Sequence, residues 1–161
     1  MKRIAIAALA LAACADPVPA WVADGSGATV SGELRGVGRV DGIRNPALRR
    51  STADARARAE VARQLDQLMT LLVPQVGPDR SDDGADVPHP DASRRRAIQA
   101  MLNGVTVRER HLGPDGAEHS LTALSREQVL HWFASQPEVP ADVRRRIAER
   151  LPAAWDDLAR R

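Results

Sequence analysis

Large aromatic side chains are nearly missing from this sequence. Tyrosine is absent, phenylalanine occurs once and tryptophan three times among 161 residues. Because aromatic rings supply the surfaces on which bases and sugars stack, this scarcity argues against a site of that kind. Lysine occurs once, as Lys2, so every other basic side chain is an arginine.

The charge balance gives no reason to expect an anionic partner. The chain has 23 Lys and Arg residues against 21 Asp and Glu residues, and Lys2 and Arg3 belong to an N-terminal leader. Without those two residues the chain has 21 of each sign and a formal net charge of zero. Nucleic acid and anionic lipid are therefore not predicted as partners.

A single cysteine, Cys14, excludes a disulfide within one chain. It follows Lys2, Arg3 and an unbroken apolar run over residues 4–13, which is the pattern of a secretory leader. A membrane-spanning helix needs about 20 apolar residues, and this run has about half that number. The N-terminus is therefore predicted to be a leader and not a membrane-spanning anchor.

The last residues of the run, Leu11-Ala12-Ala13-Cys14, resemble the lipobox of bacterial lipoprotein signals. The resemblance implies that Cys14 receives a diacylglyceryl thioether, that residues 1–13 are removed and that the new amino group is acylated. Lipidation would also remove a free thiol from an oxidising compartment. The alternative is an ordinary secretory signal, because cleavage after Ala15 also fits a small-x-small site and would discard the cysteine.

The residue after the cysteine indicates in which membrane a lipoprotein is retained. In lipoprotein signals an aspartate there retains the protein in the inner membrane, whereas this chain has Ala15. The resemblance thus implies a lipid-anchored protein of the outer membrane that faces the periplasm. Pro, Gly and Ser residues in 14–31 predict a flexible tether reaching about 20–25 Å, with Trp21 at the membrane interface. A single domain is predicted over residues 32–161.

Residues 33–42 have the pattern of a β-strand with two glycines on one face. Gly36 and Gly38 share that face with Leu34 and Val40. Since glycine weakens a strand, two glycines on one face indicate that another backbone packs closely there. No third glycine and no Gly-Lys-Ser/Thr sequence follows, so a nucleotide-binding loop is not predicted.

A long helix is predicted after this strand. Asn45 and Pro46 supply an N-cap and a first-turn proline, and Pro74 ends the helix after Val73. The predicted buried stripe contains Leu48, Ala55, Ala59, Ala62, Leu65, Met69 and Leu72, widened by Val61 and Leu68. Because small residues fill the first half of the stripe, we expect its alanines to contact the glycine face of the strand.

A β-hairpin is predicted from residues 105–112 and 117–124. The turn Pro114-Asp115-Gly116 suits a three-residue loop closed by a left-handed glycine, so the numbers of paired residues should add to 230. This register pairs His111 with His119, Glu109 with Leu121, and Val107 with Ala123. The predicted inward face carries Val105, Val107, Leu121 and Ala123, and the outward face carries Arg108, Arg110, Ser120 and Thr122.

Three further helices flank the hairpin. One ends at Leu102, and a second begins at a capping box formed by Ser125 and Gln128. The third starts at Pro140 and is predicted to break or kink at Pro152.

Four parts of the chain occur in a recognisable order. They are residues 35–39 (Arg-Gly-Val-Gly-Arg), the Ala-rich helix 53–62, the hairpin region 104–124 and a C-terminal helix with Trp155. This order resembles the Lpp-twenty lipoprotein family and the related N-terminal domain of flagellar assembly protein T, over roughly residues 32–160. The resemblance implies an α+β, dodecin-like fold, in which a small antiparallel three-stranded sheet packs on one long helix, with extra C-terminal helices. It implies no catalytic residues.

No catalytic site, cofactor or metal is predicted from the side chains. The sequence has no Gly-x-Ser-x-Gly elbow, and its histidines lack the His-x-x-x-His spacing of helical zinc sites. The acidic residues of 79–86 lack the spacing and closing glutamate of a calcium loop. His111, His119 and Glu109 could together hold zinc, but the favoured interpretation is a metal-free histidine pair.

Two functions remain open at this point. The first is a non-catalytic outer-membrane lipoprotein that acts through protein contacts with an envelope partner. The alternative is a membrane-tethered periplasmic module that holds a small apolar ligand between helix and sheet. An exposed apolar patch on the C-terminal helices would favour the first, and a buried pocket lined by the alanine stripe would favour the second.

Overall fold

The computed structural model of the chain describes residues 17–72 and 90–161. A long helix separates a short N-terminal region from a hairpin and C-terminal helices. The elements are α1 (Ala20–Asp24), β1 (Gly27–Ala28), β2 (Glu33–Val40), α2 (Pro46–Leu72), α3 (Pro90–Leu102), β3 (Val107–Leu112), β4 (Glu118–Ser125), α4 (Arg126–Ser135) and α5 (Ala141–Ala159). The predicted leader, Cys14 and Val73 lie outside the described residues.

The strands form one antiparallel sheet in the order β1-β2-β4-β3. β2 and β4 pair along their whole length, from Glu33 opposite Ser125 to Val40 opposite Glu118. The predicted α+β class is confirmed, with an antiparallel sheet, one long helix and C-terminal helices. The sheet has four strands where three were predicted, because the two residues of β1 pair with the edge of β2.

Part of the predicted tether belongs to this fold. Residues 20–24 form α1, and Gly27 and Ala28 pair with Arg35 and Leu34 of β2. The prediction of a flexible tether over 14–31 is therefore wrong for the residues that form α1 and β1. Proline, glycine and serine at these positions make turns between short elements, which composition alone does not distinguish from a linker.

The glycine face of β2 lies against α2, as the sequence predicts. A Cβ atom on Gly36 would collide with the backbone oxygen of Ala57 and lie 2.9 Å from Cγ2 of Val61. On Gly38 it would collide with the backbone oxygen of Ala53 and lie 2.6 Å from the backbone nitrogen of Ala57. Because most of these neighbours are main-chain atoms, no rotamer change could make room. The two glycines therefore allow the helix backbone to contact the strand.

α2 turns different alanines toward the sheet than its periodicity predicts. Ala53 and Ala57 are completely buried, whereas Ala55 and Ala59 are exposed and Leu48 is 54% exposed. Alanines at nearly every second position allow several alternative stripes in this half of the helix, and the glycines of β2 select one of them. In the second half the prediction is correct, with buried Leu65, Leu68, Met69 and Leu72.

The hairpin turn and most of its register agree with the prediction. The backbone N–H of Gly113 donates to the carbonyl of Ala117 at 2.8 Å, and Gly116 adopts φ = 78°. Pairing follows the predicted sum from Leu112 opposite Glu118 to Glu109 opposite Leu121. Beyond Glu109 an irregularity shifts the register by one residue, so the predicted pairing of Val107 with Ala123 is wrong and Val107 faces Thr122.

The predicted inward residues Val105, Leu121 and Ala123 are buried, but the prediction that Ser120 and Thr122 lie on an outward face is wrong. Ser120 and Thr122 are completely buried and lie on the α2 side, opposite Gly38 and Gly36. Small side chains are required there because the helix backbone is so close. Their hydroxyls find partners, Ser120 at a carboxylate oxygen of Asp54 (2.6 Å) and Thr122 at the backbone oxygen of Gly36 (3.3 Å). Hydroxyl groups satisfied in this way can be buried without a large penalty.

The helix boundaries follow their local signals. The side chain of Asn45 accepts hydrogen bonds from the backbone N–H groups of Ala47 and Leu48, which caps α2. Ser125 and Gln128 form the predicted capping box at the start of α4. α5 continues through Pro152 as one helix, so the predicted break does not occur.

The main core lies on the α2 side of the sheet. Leu34 and Leu124 of the sheet contribute to it together with α2, α3, α4 and α5. Trp155 and Leu151 of α5 are at most 1% exposed, and Nε1 of Trp155 donates to the backbone oxygen of Thr29 at 3.3 Å. This bond ties the C-terminal helix to the segment between β1 and β2.

Candidate functional site

Cys14, the residue predicted to carry lipid, lies six positions before the first described helix. The described chain begins at Pro17, and Val18 is 53% exposed. The segment that follows is firmly attached to the sheet. The site of attachment is therefore the first region of functional interest.

Trp21 attaches α1 to the sheet face opposite α2. Its side chain is 7% exposed, and Nε1 donates a 2.8 Å hydrogen bond to the Glu109 carboxylate. Glu109 pairs with Leu121, whose side chain is buried on the same face. Trp21 is thus a core residue of this face, and its indole lies inside the domain instead of belonging to a flexible tether as predicted.

Two more contacts hold the N-terminal segment beyond α1. The Ser26 hydroxyl accepts a hydrogen bond from the backbone N–H of Val37 at 2.8 Å, in place of a strand partner. Asp24 lies 3.6 Å from the Arg35 guanidinium. Together with Trp21, these contacts attach residues 21–26 at three points.

The predicted histidine pair is present on this same sheet face. His111 and His119 are cross-strand partners, and their ring centroids are 6.3 Å apart. Burial lowers the pKa of His119, and the positive charge of Arg39 lowers it further. His111 also lowers it, while Asp115 and Glu118 act in the opposite direction. His119 is therefore a neutral imidazole near neutral pH.

The third predicted zinc ligand is engaged elsewhere, because the carboxylate of Glu109 accepts the hydrogen bond of Trp21. His131 is exposed on α4, and His89 lies outside the described residues. Within residues 17–72 and 90–161, no group of three or more His, Cys, Asp and Glu side chains could hold a metal ion. The favoured interpretation of a metal-free pair stays a prediction.

A charged cluster links α2 to the hairpin on the other face. Arg110 holds the Asp54 carboxylate through two hydrogen bonds, at 3.1 and 2.8 Å, and Ser120 donates a third. The hydrogen bond from Arg110 lowers the pKa of Asp54, and the Ser120 hydroxyl lowers it further. A carboxylate stabilised in this way is a poor general base, and within the described residues the Ser120 hydroxyl donates to Asp54 and to no imidazole. The cluster fixes the hairpin to the helix.

An open groove of about 430 Å³ lies between α3 and α4. Met101 and Leu124 lie among its apolar residues, and Glu127, Gln128 and His131 supply polar groups. Trp132 also lines it and packs edge-on against Phe133, with ring centroids 5.1 Å apart. No pattern in the sequence predicts this groove. The position of Trp132 beside the buried Phe133 on a capped helix is the signal that could have indicated it.

No family model and no curated protein matches the chain. Among the helices of the described part of the chain, none is both long enough and apolar enough to span a bilayer.

Proposed function

We propose that this chain is a non-catalytic outer-membrane lipoprotein of the Lpp-twenty type, held by lipid on Cys14 and facing the periplasm. It acts through protein contacts in the assembly of the envelope or of a surface structure. The observation that carries the proposal is the charged and apolar leader that ends at Leu11-Ala12-Ala13-Cys14. The first described element begins at Ala20, so removal of residues 1–13 would leave every described helix and strand intact.

The kinship with the Lpp-twenty family and the dodecin-like arrangement are part of this proposal. The proposal is supported by β2 and β4, which pack on α2, and by β3, which extends the sheet beside β4. β1 and α1 are additions at the N-terminal side of this unit.

The state of the polar side chains supports a non-catalytic role. Asp54 is held by Arg110 and Ser120, and Glu109 by Trp21. Glu118, which is 4% exposed, lies 3.6 Å from Arg49 and 3.8 Å from Arg50. Carboxylates engaged in this way stabilise the fold and are not free to transfer protons.

The layer between sheet and helix bears on the choice between protein contacts and a small apolar ligand. Gly36 and Gly38 bring β2 into contact with the backbone of α2, so the space predicted for a ligand is filled by the protein itself. The groove beside α4 is instead open at the surface and carries the partly exposed Trp132. Surface apolar area of this kind favours a protein partner. The ligand-binding alternative would have to use this groove.

Metabolic labelling with a fatty-acid analogue tests the anchor. We expect label on the wild-type protein, recovery with outer-membrane vesicles, and an unlabelled Cys14→Ala variant that is uncleaved or soluble. A soluble, unlabelled wild-type protein whose N-terminus is Asp16 would contradict the proposal and support the ordinary secretory signal. Crosslinking in intact cells, followed by purification of the labelled protein, would then identify its envelope partner.

A further inference from the structure

The position at which the fold begins limits how far the domain can lie from its anchor. Six residue steps separate Cys14 from Ala20, and a fully extended chain of that length spans about 20 Å. Since α1 is attached to the sheet through Trp21, movement of α1 adds no length to this link.

The attachment point lies on one particular side of the domain. α1 lies on the sheet face opposite α2, and Ala23 is exposed on this helix. The exposed side of α2, represented by Ala59, is separated from α1 by the sheet and by the body of α2. With layers stacked about 10 Å apart, the two surfaces are roughly 20 Å apart.

The charges around α1 are paired. Asp24 faces Arg35, Glu33 binds Arg108 at 2.7 Å, and Arg39 binds both Asp41 and Asp115 at 2.7 and 3.0 Å. Among residues 17–72 and 90–161, this face therefore has no unbalanced positive cluster that would depend on anionic headgroups. A short covalent link, not charge, determines its contact with lipid.

We propose that the sheet face covered by α1 is the membrane-facing surface of this protein, apposed to lipid headgroups, while the exposed side of α2 points away from the bilayer. The inference rests on the proposed lipidation of Cys14. It assigns the partner-binding surfaces to the remainder of the domain, because the face beside the anchor is occupied by the membrane.

Single-cysteine labelling can test this orientation, since Cys14 is the only cysteine and its thiol would be consumed by the lipid. Lipidated Val18→Cys, Ala23→Cys and Ala59→Cys proteins would each carry a small fluorophore at the new position. Each would be reconstituted in phosphatidylcholine vesicles that contain a lipid with a nitroxide-labelled headgroup. All three sites are exposed, so labelling should leave the fold intact.

We expect the label at position 23 to be quenched at least about threefold more than the label at position 59, because the two lie roughly 20 Å apart. The label at position 18 is the positive control beside the anchor. Quenching at position 18 with equal quenching at positions 23 and 59 would overturn the orientation and leave the lipid anchor standing. Protein that does not float with the vesicles, with no quenching at any site, would overturn the anchor and this inference with it.

A longer link provides a second test with the same protein. Insertion of about twelve Gly and Ser residues between Pro17 and Val18 raises the fully extended span of the link from about 20 Å to roughly 60 Å. We expect the vesicles still to float with the protein and the difference between positions 23 and 59 to fall at least about twofold. An unchanged difference would contradict the argument that the short link sets the orientation.

Discussion

The two faces of the sheet are packed in opposite ways. On the α2 side, Gly36, Gly38 and the small buried residues of β4 allow a helix backbone to contact a strand. On the other side, larger residues such as Leu121 and His119 are buried, and a helix of five residues is held there by the hydrogen bond from Trp21 to Glu109. The first face depends on the absence of side chains, and the second on one large side chain. They should therefore respond differently to substitution.

The largest loss of stability is expected where the backbones of β2 and α2 meet. Gly38→Val places a branched side chain against the backbone atoms of Ala53 and Ala57, and it should lower the free energy of unfolding by more than about 3 kcal/mol. Thermal and urea unfolding of the purified domain would measure this. Gly27→Ala is the matched control, because a Cβ there meets nothing within 4 Å, and it should change stability by less than about 0.5 kcal/mol. Equal melting temperatures for the two variants would contradict the close approach.

The attachment of α1 to the sheet face opposite α2 should become less stable when the contact made by Trp21 is removed. Trp21→Ala deletes a buried indole and the hydrogen bond to Glu109, and we expect a loss of about 3 kcal/mol, the low end for such a truncation. The loss is at the low end because α1 can detach while the α2 side stays packed. Hydrogen exchange should show new opening in residues 20–28 and little change in α2.

Trp132→Ala is a suitable control for this variant, because Trp132 is partly exposed and lies on α4, away from α1. It should cost clearly less than Trp21→Ala and leave exchange in residues 20–28 unchanged. Exchange that rises uniformly through the domain after Trp21→Ala would show that α1 is not a separate unit.

The contrast between the faces also explains which parts of the fold can be predicted from sequence. The Gly36 and Gly38 face, the Asn45 cap and the hairpin turn each depend on a local rule, and each is correct. The predicted alanine stripe of α2 and the predicted outward placement of Ser120 and Thr122 were wrong because several alternatives satisfy the same local pattern. Only the pairing of β2 with β4, which are far apart in sequence, selects among them.

At the candidate site, the contacts of the N-terminal segment also could not be predicted from the sequence. Its Pro, Gly and Ser residues are typical of a linker, and no periodicity reveals that Trp21 reaches Glu109, 88 positions later. The groove between α3 and α4 likewise depends on how two helices pack, which the sequence of either helix does not determine. The predicted lipidation residue, by contrast, is part of a short continuous motif and needs no tertiary contact to be recognised.

The smallest expected effect is a change of stability with pH, and it involves His119 on the sheet face opposite α2. His119 is 8% exposed, and its pKa is lowered from its ordinary value of about 6.5, first by burial and then by Arg39. The folded protein therefore binds fewer protons than the unfolded chain just below that value. As the pH falls below about 6.5, the unfolded chain takes up the proton first and the free energy of unfolding decreases, until the pH reaches the lowered pKa.

The slope from one such group is at most about 1.4 kcal/mol per pH unit, so urea unfolding at closely spaced pH values between 5 and 7.5 is the suitable measurement. His119→Gln should flatten the curve in this window, while His131→Gln, at an exposed position on α4, should not. Asp54 and Asp115 have lowered pKa values, so their contributions are lost as the pH falls below about 4 and do not overlap with this window. A wild-type curve that is flat between pH 5 and 7 would mean that His119 is not desolvated in the folded protein.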